Sequence, residues 1–206
     1  MGSEPPRRTG QALKLKEALA KPTLDLEQLS SRLDSVDQGE RLAEIWSLNA
    51  VEQARLFEAV KGHHPITVDD LVPAGTAALQ GVTHEGKNSL PMFNHFAKVF
   101  YRPEASAAEL NGFNRNDAVV GTTVGPGYFV AYAHGPGEVL LDYTRLPTKK
   151  PDGWPAIAPN DSRLSRFVYN NTKDLLRGVS KHVIIGHASR NGVDLPNWFV
   201  LCRVGS

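Results

Sequence analysis

The stretch Gly127-Tyr128-Phe129-Val130-Ala131-Tyr132-Ala133-His134-Gly135-Pro136-Gly137-Glu138-Val139-Leu140-Leu141-Asp142-Tyr143-Thr144 carries the fold-deciding pattern of this chain. Two apolar arms of strand length flank His134-Gly135-Pro136-Gly137-Glu138, whose two glycines and proline favour a tight reversal. In an extended strand alternate residues share a face. Phe129, Ala131 and Ala133 therefore lie on one side of the first arm, and Tyr128, Val130, Tyr132 and His134 on the other. A face of small residues beside a face of tyrosine and valine leaves open which side points inward. It is compatible with a cavity lined partly by tyrosine hydroxyls.

The same period-two grammar runs outward from this hairpin. Candidate strands are 98–102, 110–114, 119–124, 127–134, 138–144, 167–170, 181–189 and 197–204. Arg190-Asn191-Gly192-Val193 holds the Asn-Gly dipeptide of a two-residue hairpin. Seven or eight short strands joined in sequence close into a barrel or a strongly curved sheet. Residues 147–159 carry four prolines and Trp154 and read as a long irregular loop, a feature compact domains often use functionally.

Upstream, the pattern is helical. Residues 1–10 read as a disordered tail, and 11–20 as a short helix stopped by Pro22. Asp25-x-x-Gln28, Asp37-x-x-Glu40 and Asn49-x-x-Glu52 are three capping-box patterns, each followed by apolar residues at helical spacing. Gly62 is a natural stop for the last of them. Residues 65–91, punctuated by Pro73, Gly75, Gly81 and Gly86, read as connection with one short helix at 68–71 and a turn near 77–79; 91–96 reads as a further short helix. The expected fold class is α+β: a disordered tail (1–10), a helical region packed on the barrel (11–94), and an antiparallel β-barrel or curved meander (95–206).

Bulk composition narrows the partners. The chain has 206 residues, 41% hydrophobic and 22% charged, with a formal net charge of +1, an ordinary globular balance. The basic clusters Arg7-Arg8 and Lys149-Lys150 are too short for a nucleic-acid footprint. No apolar run reaches the roughly 18–20 residues of a membrane span. The N-terminus lacks the apolar core of a secretory signal, and the one cysteine, Cys202, excludes an intrachain disulfide; both fit a cytoplasmic location.

The order of elements carries a resemblance. A basic-aromatic strand, Lys98-Val99-Phe100-Tyr101-Arg102, precedes Asn111-Gly112-Phe113-Asn114 and a hairpin ending Leu140-Leu141-Asp142-Tyr143. Lys173-Asp174-Leu175-Leu176-Arg177, Ile185-Gly186-His187-Ala188 and Trp198-Phe199-Val200-Leu201 follow. From about residue 95 to 204 this pattern resembles the lipocalin-like (calycin-type) small β-barrels of bacterial proteins. The resemblance implies a barrel with an interior site for a small, mostly apolar molecule.

Candidate site residues follow from type and position. Tyr101, Asn111, Tyr128, Tyr132, Arg177 and His187 are the polar groups expected to contact a ligand, with Asp174 holding the Arg177 fork. A bland reading stands beside each: turn chemistry for the asparagines, core packing for the tyrosines, and an ion pair at a barrel end for Asp174 and Arg177. Asp142, His95, His182 and His187 are candidates for acid-base work, Asp142 as a buried carboxylate of raised pKa or as an exposed strand residue.

His63 and His64 are adjacent, so their side chains diverge. His182 and His187 are five apart, which puts them on opposite faces of one strand. No His-x-His, Cys-x-x-Cys or His-Glu-x-x-His spacing occurs, so no metal is expected, and no cofactor beyond a haem held by a single histidine, His187 or His182. Gly121-Thr122-Thr123-Val124-Gly125 lacks the Gly-Lys-Ser/Thr of a phosphate loop, and no Gly-x-Ser-x-Gly elbow occurs.

The first functional expectation is a barrel that binds a small hydrophobic or amphipathic molecule. A second is a cofactor-independent isomerase, cyclase or hydratase on a small lipophilic substrate in the same cavity. A third is a structural or protein-interaction protein with a filled barrel.

Overall fold

The computed structural model describes residues 13–90, 94–115, 125–160 and 169–205. Five short helices come first: α1 (Leu15–Leu19), α2 (Leu26–Ser35), α3 (Gln38–Trp46), α4 (Ala50–Ala59) and α5 (Val68–Leu71). Eight strands follow: β1 (Val82–Asn88), β2 (His95–Tyr101), β3 (Leu110–Arg115), β4 (Tyr128–His134), β5 (Glu138–Asp142), β6 (Thr172–Gly178), β7 (Val183–Arg190) and β8 (Val193–Arg203). Each strand pairs antiparallel with the next, and β1 pairs with β8, so the sheet closes with no free edge.

The helix starts form where the caps call for them. Asp25 accepts from the Gln28 amide, Asp37 from Glu40, and Asn49 from Glu52, whose own carboxylate reaches back to the Asn49 amide. Gly62 follows α4 at φ +73°. The hairpins also form as read: β4 and β5 join through Gly135-Pro136-Gly137, and β7 and β8 through Asn191 and Gly192, both at positive φ as a two-residue turn requires.

Some expectations need correcting. β1 lies within residues 65–91, a stretch whose glycines and prolines suggest connection only. Its buried positions are His84 and Gly86, with Val82 the one apolar residue on the same face, so it lacks an apolar alternation. β6 also escapes the strand pattern, because the charged Asp174 stands at an inward position next to Lys173. Residues 95 and 96 are strand rather than helix. His182 sits in the turn before β7, so it does not share a strand with His187. The tail 1–10, the candidate strand 119–124, and residues 91–93 and 167–168 lie outside the described residues.

Three buried clusters organise the molecule. The barrel interior holds Phe100, Leu110, Phe129, Ala131, Val139, Leu141, Tyr143, Leu176, Ile184, Phe199 and Leu201. Its inward face is thus the Phe129-Ala131-Ala133 side of β4, and the tyrosine side faces out. Helices α1 to α4 pack on the outside of the barrel against Val183, Ile185, Val200 and Cys202. Loop residues Trp154 and Ile157 cover Val99, Phe113 and Tyr128 on another outer face.

The short helix α5 closes one end of the barrel. Leu71 and Val72 are fully buried with the interior residues. The carbonyls at the end of α5 accept from basic side chains of the barrel: Asp70 from Arg203 Nη1 (2.8 Å), Leu71 from His84 Nε2 (2.9 Å) and Val72 from Arg102 Nη2 (2.9 Å). These donors satisfy carbonyls that a helix end leaves unpaired. At the opposite, loop end of the barrel β1, β3, β5 and β7 finish and β2, β4, β6 and β8 begin. No helix among the described residues is long and apolar enough to cross a membrane.

Candidate functional site

In the loop half of the barrel, the interior changes from apolar to polar. Lys98 projects inward from the middle of β2, between Phe96 and Phe100 on the same face. Its Nζ donates to Asn114 Oδ1 at 2.8 Å, Tyr143 OH at 2.6 Å and Asp174 Oδ2 at 3.1 Å. The Tyr143 hydroxyl also accepts from Asn114 Nδ2 at 3.1 Å and lies 3.2 Å from Asp174 Oδ2, to which it can donate. Lys98 and Asp174 are 3% and 4% exposed, so this is an ion pair removed from water.

Aromatic rings surround the amine. Nζ lies 4.6 Å from the Phe199 ring centroid, 5.3 Å from Phe129 and Tyr143, and 5.5 Å from Phe96. Ring faces carry partial negative charge and attract a cation, most strongly when it is desolvated. Tyr169 stacks on Tyr143 at 5.2 Å and 12°, extending the aromatic wall toward the loop end. Asn160 donates to the carbonyls of Tyr128 and Tyr143 and so ties the β5–β6 loop to this wall.

Burial sets the protonation tendencies. It lowers the pKa of the Lys98 ammonium, and the Asp174 carboxylate opposes that shift. It raises the Tyr143 phenol well above its ordinary value, and the nearby Asp174 charge adds to the rise. The phenol is therefore held neutral, as a donor. Amine, phenol and carboxylate together form one hydrogen-bonded unit inside a low-dielectric barrel.

Of the residues anticipated from sequence, Asp174 faces this interior cluster. The others sit on outward strand faces, or in the turn before β7 for His182, in separate groups. Tyr101, Asn111 and Tyr128 lie on the outer face of β2, β3 and β4, the two tyrosines under the β5–β6 loop. Tyr101 donates to the Lys149 carbonyl (2.5 Å) and Tyr128 to that of Pro155 (2.8 Å). Burial raises the Tyr101 phenol and pushes Tyr128 up to about 12.

Tyr132 donates to Asp142 at 3.2 Å, and Lys173 pairs with the same carboxylate at 3.0 Å. Burial pushes Asp142 upward, but hydrogen bonds from Thr144 and Lys173 outweigh it and hold the carboxyl below its usual value. Arg177 clamps α4 to the barrel, its guanidinium 3.9 Å from the Phe57 ring and bonded to the Phe57 carbonyl and Glu138.

His187 stacks on Trp198 at 5.0 Å, touches Phe57, and donates through Nε2 to the Leu195 carbonyl. His182, the other histidine considered for haem, has its pKa lowered by burial and by Arg41. His95 meets Trp46 edge-on at 5.1 Å. No group of three His, Cys, Asp or Glu suited to a metal ion occurs among the described residues.

Sequence reasoning passed over Lys98 as a site residue, and treated Asn114 and Tyr143 only as members of wider groups. The available signal was the spacing Phe96-x-Lys98-x-Phe100, a lysine at an inward position between two aromatic ones. Surface depressions among the described residues include one beside α1, one near Asp69 and Arg102, and one near Asn111 and Arg145. None of the three is lined by Lys98, Asn114, Tyr143 or Asp174. No protein-family model, curated protein or solved structure matches the chain.

Proposed function

We propose that this chain binds a small amphipathic molecule in the loop half of its barrel, with the ligand's polar head at the Lys98 cluster and its apolar body against the aromatic wall. An eight-stranded barrel has an interior just large enough to be filled by side chains or to hold one small ligand. A site of this kind combines apolar walls with a few placed polar groups.

The observation that carries the reading is the buried Lys98–Asp174 pair with its Tyr143 and Asn114 partners. A buried ion pair contributes little net stability against an apolar replacement of similar volume. Its presence in an otherwise largely apolar lumen favours a role in recognition. Lys98 and Tyr143 offer donors, suiting a carboxylate, carbonyl or phenolate oxygen. Native mass spectrometry of the purified protein tests this. A co-purified small molecule that is lost in Lys98→Met supports the reading. A clean apo mass that stays unchanged on adding octanoate or benzoate favours a filled, structural barrel instead.

A second reading is an isomerase, cyclase or hydratase in the same place. The contact between the Tyr143 hydroxyl and both Lys98 Nζ and Asp174 favours it, since a connected amine, phenol and carboxylate can move a proton to and from a bound substrate. A pH–rate profile that follows Lys98, and collapses in Tyr143→Phe, distinguishes catalysis from simple binding.

A further inference from the structure

We propose that Lys98 captures its ligand covalently, as a protonated imine with the carbonyl carbon of a small aldehyde or ketone. This inference rests on the binding reading above and specifies its ligand class.

Four observations carry it. Lys98 is the only buried lysine among the described residues. The rings of Phe96, Phe129, Tyr143 and Phe199 lie around its nitrogen at 4.6–5.5 Å. An iminium is a delocalised, weakly hydrated cation and suits such ring faces better than water. Asp174 stands 3.1 Å from the nitrogen, placed to take its proton and then to serve as counter-ion. Tyr143 touches both nitrogen (2.6 Å) and carboxylate (3.2 Å), which provides a path for that proton. Burial favours the neutral, nucleophilic amine. Exclusion of water protects the imine from hydrolysis.

The step balances without any co-reactant. The Lys98 ammonium passes one proton to Asp174. The freed nitrogen lone pair attacks the carbonyl carbon; the N–C bond forms and the carbonyl π pair moves to oxygen. A second nitrogen proton reaches that oxygen through Tyr143, giving the carbinolamine. The proton held by Asp174 then goes to the hydroxyl, which departs as water while nitrogen forms the C=N bond. The net change is ammonium plus carbonyl to protonated imine plus water.

The test treats the full-length protein with near-stoichiometric benzaldehyde or, separately, octanal under cyanoborohydride at neutral pH, followed by intact and peptide mass analysis. The expected result is a single alkyl adduct on Lys98. It is absent in Lys98→Arg, which keeps the cation but cannot form the imine. In Asp174→Asn, adduct formation slows by roughly a hundredfold, as loss of an acid-base partner does.

No adduct from either aldehyde, or adducts scattered over surface lysines and unchanged in Lys98→Arg, overturns the proposal. A parallel NMR titration with benzyl alcohol and octanoate, which cannot form an imine, separates the two levels. Saturable shifts around Lys98 without an aldehyde adduct overturn imine formation and leave the binding reading standing. No shift with any probe overturns both.

Discussion

Lys98 on β2 and Asp174 on β6 meet across the lumen, ammonium to carboxylate at 3.1 Å, from strands four places apart in a ring of eight. They belong to opposite walls, so the pair ties the barrel together through its centre. Breaking such a pair leaves one uncompensated buried charge. Lys98→Met or Asp174→Leu alone should each cost about 3–5 kcal/mol in denaturant unfolding, while the double variant should return to near or above the wild-type value. Additive losses in the double variant would mean that the pair itself stabilises the fold.

The aromatic filling of the lumen depends on glycines at inward positions. A Cβ on Gly186 would stand 2.1 Å from the tip of the Phe199 ring, and one on Gly112 would stand 2.5 Å from that of Phe129. Gly186→Ala should therefore destabilise by about 1–3 kcal/mol through overpacking. Adding Phe199→Leu should recover part of that loss. Equal unfolding midpoints for Gly186→Ala and wild type would show that Phe199 is not held against β7.

The fold was legible wherever an element follows a local rule. Asp25, Asp37 and Asn49 announce three helices, and Asn191-Gly192 announces a hairpin, because caps and turns act within four residues. β1 and β6 were not legible. Their inward residues include His84, Gly86 and Asp174, which find partners only across the closed barrel. The site was hidden for the same reason. Lys98 reads as an ordinary strand lysine until Asn114, Tyr143 and Asp174 converge from three other parts of the chain. Tyr101, Tyr128 and Tyr132 drew attention as phenols near a cavity, yet the register turns them outward under a loop or beside Asp142.

His84 should give the fold a pH dependence of its own. It is fully buried at the α5 end, where burial holds its pKa down to about 4, aided by Arg203. The unfolded chain binds this proton near 6.5, so between pH 6.5 and 4 the unfolded state carries more protons and stability falls as pH falls. The stabilisation is fully present above 6.5, and about 3 kcal/mol is lost by pH 4. Denaturant midpoints across that window should drop in wild type and flatten in His84→Gln. Identical slopes in the two proteins would assign the effect to other groups.

The loop that covers the outer face of β2, β3 and β4 should be held by Trp154. Its ring packs on Phe113 at 4.8 Å and on Tyr101 at 5.3 Å, and it lies against Gly81. Trp154→Ala should cost about 1–3 kcal/mol, less than a fully buried tryptophan because part of the ring is exposed. It should also speed limited proteolysis within 147–159. A cleavage rate equal to wild type would show that the tyrosine–carbonyl bonds alone secure the loop.

The most direct test of ligand binding at Lys98 is NMR of the lysine side chains, with 13C at Cε and 15N at Nζ. Lys98 should stand apart from the other lysines before any addition, because the faces of four rings shield its methylene and its amine is desolvated. On titration with benzoate, octanoate or benzaldehyde, that one signal should move saturably while surface lysines stay in place. Saturable movement of Lys98 is the predicted result. An unmoved Lys98 signal with every probe, in a protein that remains folded, would contradict ligand binding in the barrel.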